Sequence, residues 1–368
     1  MISNIYLKNF KAFQEAEIPP ARLNIFTGLN ALGKSTFLQS LLLLRQSYRQ
    51  NTLLDKGLLL NGELIEIGKG KDAYSMSGTE DNLVIFEVEW EEAIELIGEF
   101  QSQAEFDLLP THKLKLSEQE HIFQQALFTN NFQYLSAERV TPKTFFPASV
   151  YHVEQIHSLG NHGEFTVYFL AKNQRQEIPI NNLAHPKANS LALLAQLDAW
   201  MGEITPDVRV TLSEEFEVAR LSYQFEVGEE LTEEFKPTNV GFGLTYVLPV
   251  VTAVLFARPG DLLIIENPES HLHPQGQARL GKLFALAAEN GVQLFIETHS
   301  DHVLNGVRVA AKQKNISPEN VGIFFFERDL EEHITEIIQP FLDENGRLDK
   351  RPKGFFDEWG NQLDELLK

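Results

Sequence analysis

Apolar positions along the chain fall into runs whose spacing separates strands from helices. Residues 2–13 alternate loosely and predict a strand. Pro19-Pro20 breaks the chain before a short apolar run, Leu23-Asn24-Ile25-Phe26-Thr27. After a glycine-rich stretch, Phe37-Leu38-Gln39-Ser40-Leu41-Leu42-Leu43-Leu44 reads as helix. Asn61-Gly62 is a hairpin-type turn signal, residues 68–72 form a glycine-rich loop, and residues 82–90 alternate as a strand. Residues 91–132 predict mostly helix with a break at Pro110, and residues 133–137 a short buried strand. Residues 165–172 are apolar with no readable period. Residues 190–201 space their apolar positions as an amphipathic helix, and residues 208–227 read as two strands. Residues 240–256 form a long apolar helix that carries Pro249. Buried strands at 261–265 and 292–297 then alternate with helices at 275–289 and 301–312. Residues 321–326 and 333–338 pair as late strands, and residues 354–367 make a short terminal helix. Such alternation implies an α/β fold with a largely parallel core sheet.

The stretch joining the run at Thr27 to the helix at Phe37 carries the clearest chemistry. Gly28-Leu29-Asn30-Ala31-Leu32-Gly33-Lys34-Ser35-Thr36 has the spacing G-x-x-x-x-G-K-[ST] of a P-loop, with strand before and helix after. Gly28 and Gly33 permit backbone conformations closed to other residues and let the chain approach phosphates. The loop N–H groups and the helix N-terminus make an anion cradle. Asn30, Gly33, Lys34, Ser35 and Thr36 are the expected ATP contacts, with Lys34 on the β- and γ-phosphates and the Ser35 hydroxyl on Mg²⁺.

Two later strands end in polar residues, where ligands of open α/β sheets sit. Leu262-Leu263-Ile264-Ile265-Glu266-Asn267-Pro268-Glu269 is an apolar strand ending in acid, and Glu266 there can hold Mg²⁺ opposite Ser35. Gln293 to Ile296 runs into Glu297-Thr298-His299-Ser300; His299 can reach a γ-phosphate, while Ser300 or Asp301 would cap the next helix. Asn239-Val240-Gly241-Phe242-Gly243-Leu244-Thr245 is a second glycine-rich helix start and a second possible anion site. His271 and His273 with Glu269 and His302 have metal-ligand side chains, but their loop setting makes this the weaker reading.

Composition narrows the picture. The chain has 368 residues, no cysteine and a formal net charge of −21. Disulfides and thiolate metal sites are excluded. A whole-surface grip on a nucleic-acid backbone is disfavoured, though a local basic groove is not. Met1 to Ile5 lacks the signal-peptide pattern and the longest apolar run is too short to span a bilayer, so a cytoplasmic protein away from membranes is expected.

Taken in order, the P-loop, the distant glycine signature, E-N-P-E and T-H-S resemble ATP-binding-cassette-type ATPase heads. The likeness is to the group of chromosome-maintenance, recombination and overcoming-lysogenization-defect ATPases. Lys8-Asn9-Phe10-Lys11-Ala12-Phe13 resembles their first strand, and Tyr134-Leu135-Ser136-Ala137-Glu138-Arg139 a further strand that brings Arg139 near nucleotide. Gly354-Phe355-Phe356-Asp357-Glu358 resembles a short C-terminal module of some prokaryotic members. The resemblance implies a P-loop NTPase head with a mixed sheet, an N-terminal β subdomain and an inserted α+β region. The core is then 1–75 and 236–340, the inserted lobe 76–235 and the module 341–368. It further implies a homodimer sandwiching two ATP–Mg²⁺, in which Gly241, Gly243 and Thr245 cap the partner's γ-phosphate. Residues 271–274 become the dimer-crossing loop and His299 the switch histidine. Glu266 stands where the family has an aspartate and Asn267 where it has its catalytic glutamate, with Glu269 two residues on. Slow ATP hydrolysis, a separate protein effector and a role in DNA repair or phage defence are the expectations. A nearly turnover-free ATP switch and a transporter subunit are the alternatives. About seventy residues follow His299, too few for the nuclease domain of the overcoming-lysogenization-defect proteins.

Overall fold

In Leu83–Trp90 and Ile94–Gln101 every second side chain is withdrawn from solvent, the two-residue period of a half-covered strand. The two pair antiparallel with Trp90 opposite Ile94. They lie in a six-stranded antiparallel sheet of order Phe13–Ile18, Ile2–Phe10, Leu83–Trp90, Ile94–Gln101, Leu108–Leu116, Gly57–Leu59. The helix expected over 91–132 is thereby corrected: two strands, Ile94–Gln101 and Leu108–Leu116, run through it, and its described helical pieces are the short turns Glu91–Ala93, Gln119–Ile122 and Ala126–Phe128. The strand expected over 2–13 is a hairpin, because Lys11 turns the chain at φ 51 between Ile2–Phe10 and Phe13–Ile18. Asn61-Gly62 closes a wider loop, with Asn61 bridging Glu66, and the loop at 68–72 runs into one helical turn, Gly70–Ala73.

This computed structural model describes all residues except 118, 216–217, 329–334, 353, 357 and 368. Part of the expected late strand, residues 333–334, and Asp357 of the C-terminal motif lie outside the described residues. The chain divides into two compact units. The first comprises Met1–Thr129, Val321–Phe341 and Leu348–Lys368, and the second Asn130–Asn320 and Leu342–Arg347.

Besides its antiparallel sheet, the first unit holds Leu23–Gly28 paired parallel with Val321–Arg328, which pairs antiparallel with Thr335–Ile338. Aromatic rings lock the base of this pair. Phe26 stacks on Phe324 at 5.4 Å, and Phe13 meets Phe37 at 5.1 Å and Phe326 at 6.1 Å. Each buried ring contributes roughly 1.5–3 kcal/mol. Helix Lys34–Arg49 buries Phe37, Leu38 and Leu41 to Leu44 beneath the glycine loop.

The second unit is built on Leu262–Glu266, paired parallel with Gln293–Glu297 on one side and Phe132–Leu135 on the other. All five residues of Gln293–Glu297 are buried, as a parallel strand covered on both faces requires. Helices Phe242–Phe256, Pro274–Glu289 and Asp301–Lys312 follow the expected positions, and the untyped segment at 165–172 is the helix Thr166–Asn173. A smaller antiparallel sheet pairs Val218–Val227 with Val208–Glu215, Phe145–Pro147 and Glu230–Leu231. Among the described residues no helix is long and apolar enough to cross a membrane.

Candidate nucleotide site

The glycine loop of the first unit has the backbone its spacing demands. Gly28 and Gly33 take φ of 136° and 89°, and Ala31 between them takes 63°. A Cβ at Gly28 would sit 2.3 Å from the Phe326 carbonyl oxygen, and one at Gly33 would sit 2.7 Å from the Phe13 ring. Only glycine fits either place without displacing backbone or the aromatic cluster. Lys34 is buried and its Nζ donates to the carbonyls of Gly28 and Leu29 at 3.1 and 2.7 Å. The ammonium is thus held inside the curl of the loop, while Leu29, Asn30 and Ala31 stand in solvent at its lip. Thr36 is buried and its N–H closes the first turn on the Gly33 carbonyl at 2.9 Å.

In the second unit the two parallel strands present their polar ends together. Glu266 and Glu297 are in register, and the Asn267 N–H donates to the Glu297 carbonyl at 2.8 Å. Asn267 turns the chain with φ 44°. The Glu266 carboxylate accepts from the Tyr134 hydroxyl and from the Ala137 N–H, both at 3.1 Å. Burial raises its pKa, and these two donors and Arg139 pull it back down. Tyr134 is itself pushed upward, by burial first and then by Glu266. Glu269 reaches across to the other strand, its Oε1 accepting the His299 N–H at 2.8 Å. The other oxygen of Glu269 and the Asn267 side-chain oxygen are buried without a hydrogen-bond partner. His299 is exposed, and the Ser300 hydroxyl caps Asp301–Lys312 by accepting from His302 and Val303, as the sequence predicts.

Arg139, expected near nucleotide, is buried and donates to the main-chain carbonyls of Glu266 and Asn267, the latter at 3.1 Å. Burial lowers its pKa to about 10, opposed chiefly by Glu269 and then by Glu266. Gly241 is the exposed N-cap of Phe242–Phe256, with open space where its Cβ would be. Gly243 is buried, and a Cβ there would meet the His271 carbonyl oxygen at 2.5 Å. Thr245 is buried beside the Tyr223 hydroxyl. Among the described residues no group of three or more His, Cys, Asp or Glu could hold a metal, so the His271–His273–Glu269–His302 reading fails. Tyr134 and Ala137 are the partners of Glu266 that sequence reasoning missed. A lone tyrosine in a buried strand, with one end needing a polar partner, was the available signal.

The residues fit ATP and Mg²⁺. The glycine cradle is closed to any Cβ and is walled by a buried ammonium. In the first unit Ser35 follows Lys34 with a hydroxyl, and in the second unit Glu266 carries a carboxylate, each a hard oxygen donor of the kind Mg²⁺ takes.

Two solved structures share the fold over nearly their full lengths. One, described as an SmcHead bound to the C-winged helix domain of ScpA, is 12% identical, with a TM-score of 0.55, and covers 93% of this chain and 98% of its own. The other is an Smc head domain with an extended coiled coil bound to the C-terminal domain of ScpA, derived from Pyrococcus furiosus. It is 12% identical, with a TM-score of 0.52, and covers 100% of this chain and 99% of its own. The fold of this chain is thus that of these head domains. No curated protein matches the chain. Residues 316–366 match a family described as a protein of unknown function (DUF3696), a range that takes in the Gly354-Phe355-Phe356 motif and starts well before the module expected at 341–368. Residues 23–305, which carry the P-loop and both acid-ended strands, match the model described as "AAA domain, putative AbiEii toxin, Type IV TA system", and the chain belongs to that family of P-loop ATPases.

Proposed function

We propose that the chain is a dimeric ATPase head that binds ATP–Mg²⁺, hydrolyses it slowly and through that cycle controls a separate protein effector. The observation that carries the reading is the buried Lys34 ammonium inside a loop whose two glycines leave no room for a side chain. Asn30, Gly33, Lys34 and Thr36 bind the phosphates in this reading, and Ser35 and Glu266 hold the metal. Mg²⁺, when bound, neutralises charge on the phosphates during transfer. Asn267 orients the attacking water, and its amide cannot take the water's proton at neutral pH. His299 senses the γ-phosphate. Gly241 and Gly243, with Thr245 behind them, serve the partner's nucleotide. A toxin named in the family description favours a defence setting, and the ScpA-bound neighbours favour a protein partner.

The alternative, an ATP-bound switch with negligible turnover, is favoured by Asn267 alone. Phosphate release separates the two. Slow but measurable wild-type release, abolished in Glu266→Gln and raised in Asn267→Glu, supports the ATPase. Release indistinguishable from that of Glu266→Gln supports the switch. Rapid wild-type release that collapses in Glu269→Gln, with no gain in Asn267→Glu, would move the base to Glu269 and defeat slow turnover.

A further inference from the structure

Arg139 is the most deeply buried charge beside the acid-ended strands, and its bonds go to backbone. Its two terminal nitrogens donate to the carbonyls of consecutive residues, Glu266 and Asn267. Its remaining nitrogen, Nε, is buried without a partner. Two bonds from one rigid fork to consecutive carbonyls fix the two peptide planes that flank the Asn267 Cα, the first of which leads out of Glu266, and so restrain the direction in which the Glu266 side chain leaves the strand. The same short loop supplies the Ala137 N–H to the Glu266 carboxylate at 3.1 Å, so backbone and side chain of Glu266 are held from one segment.

That segment is itself tied down. The Ser136 N–H donates to the Asn161 carbonyl and the Val140 N–H to the His162 carbonyl, both at 2.9 Å. His162 Nδ1 lies 3.0 Å from the Ser136 hydroxyl and 2.6 Å from the Glu138 carbonyl oxygen. The next residue, Gly163, packs so closely on Pro249 of helix Phe242–Phe256 that a Cβ would sit 2.4 Å from its ring. A guanidinium withdrawn from water this far is costly unless its surroundings compensate, and here Glu269 and Glu266 supply the opposing charge.

We propose that Arg139 is a positioning residue for the metal-binding carboxylate Glu266, acting through the loop 136–140, and that it does not touch the nucleotide. The proposal rests on the ATP–Mg²⁺ reading above. It distinguishes two roles that both predict lost activity: a nucleotide ligand weakens ATP binding with or without metal, whereas a support of Glu266 weakens only what the metal adds.

Calorimetric titration of ATP into the full chain, once in EDTA and once with Mg²⁺, tests it. Wild type should bind in EDTA and gain affinity with Mg²⁺. Arg139→Ala should keep the EDTA affinity within about threefold while the metal gain shrinks roughly tenfold or more, the usual cost of losing a group that orients a metal ligand. Glu266→Gln should lose the same gain, and the double variant should lose no more than either alone, since both act on one group. Arg139→Lys, which can make one of the two carbonyl bonds, should fall between. It carries the test if the alanine variant does not fold. Equal loss in EDTA and in Mg²⁺ would make Arg139 a nucleotide ligand and overturn the proposal. So would an undiminished metal gain in either Arg139 variant, or a wild type whose affinity ignores Mg²⁺. A wild type that binds no ATP in either buffer would instead refute the ATP reading on which the proposal stands.

Discussion

Gly33→Ala should damage the glycine loop by an amount that follows from its geometry. At φ 89° an alanine sits in left-handed space, which costs roughly 1–2 kcal/mol. Its Cβ would also lie 2.7 Å from the Phe13 ring and 2.9 Å from the Ala12 Cβ. The ring cannot swing away cheaply, because Phe13 is 1% exposed and pinned by Phe37 and Phe326. Overpacking of this kind adds about 1–3 kcal/mol. The sum is on the order of 2–5 kcal/mol, unless the loop relaxes and moves the cradle instead. Urea melts followed by tryptophan fluorescence read the first outcome as a midpoint lowered by roughly 1 M at unchanged slope. ATP calorimetry reads the second as weakened binding. Gly202→Ala is the control: Gly202 lies inside helix Leu193–Ile204 with no atom within 4 Å of its Cβ, so alanine should add up to about 1 kcal/mol. A Gly33→Ala protein that melts and binds ATP like wild type would refute the loop conformation and the argument drawn from it.

Gly241→Glu tests the second glycine helix start more cleanly than a change at Gly243, where any side chain would displace the His271 carbonyl. The Gly241 variant should bind ATP as wild type does and lose the ATP-dependent rise in mass by light scattering. An equal response in both proteins would remove this helix start from the dimer contact. Asp198 offers a pH test: burial pushes its carboxyl up to about 6 although it accepts the Val210 N–H at 2.8 Å. Its folded value lies above the unfolded 3.8, so the folded chain holds the extra proton between those values and loses stability as pH rises through them. Asp198→Asn should therefore gain on wild type from pH 4 to pH 7, by on the order of 1–3 kcal/mol, and hold that margin above. A margin constant across that range in thermal melts would contradict the assignment.

The loop and the acid-ended strands were legible because their signals are local. Gly28, Gly33 and Lys34 lie within seven residues between a strand and a helix, and Leu262 to Glu266 is apolar to its last residue. Residues 91–132 misled for two reasons. Glutamates and leucines favour helix on composition, and the hairpin turn gives no warning, since Glu92 and Ala93 take φ of 66° and 60° without the usual glycine or asparagine. The alternation of Ile94, Leu96, Gly98 and Phe100 was present and outweighed. Thr166–Asn173 was opaque because eight mostly buried residues show no polar face from which to read a period. The place of Arg139 could not be read locally: its partners Asn267 and Glu266 are 128 and 127 positions away, and only the pairing of Phe132–Leu135 with Leu262–Glu266 brings them together.

Binding of ATP–Mg²⁺ to the wild-type chain and to Lys34→Ala, by calorimetry under identical conditions, tests the central claim most directly. Lys34 places a buried ammonium within the glycine loop, and a charge-assisted hydrogen bond lost there costs roughly 1.5–3 kcal/mol. Wild type should bind, and the variant should bind about tenfold to a hundredfold more weakly while keeping its thermal midpoint within a few degrees. Equal affinities in the two proteins, or no binding by the wild type, would contradict the account.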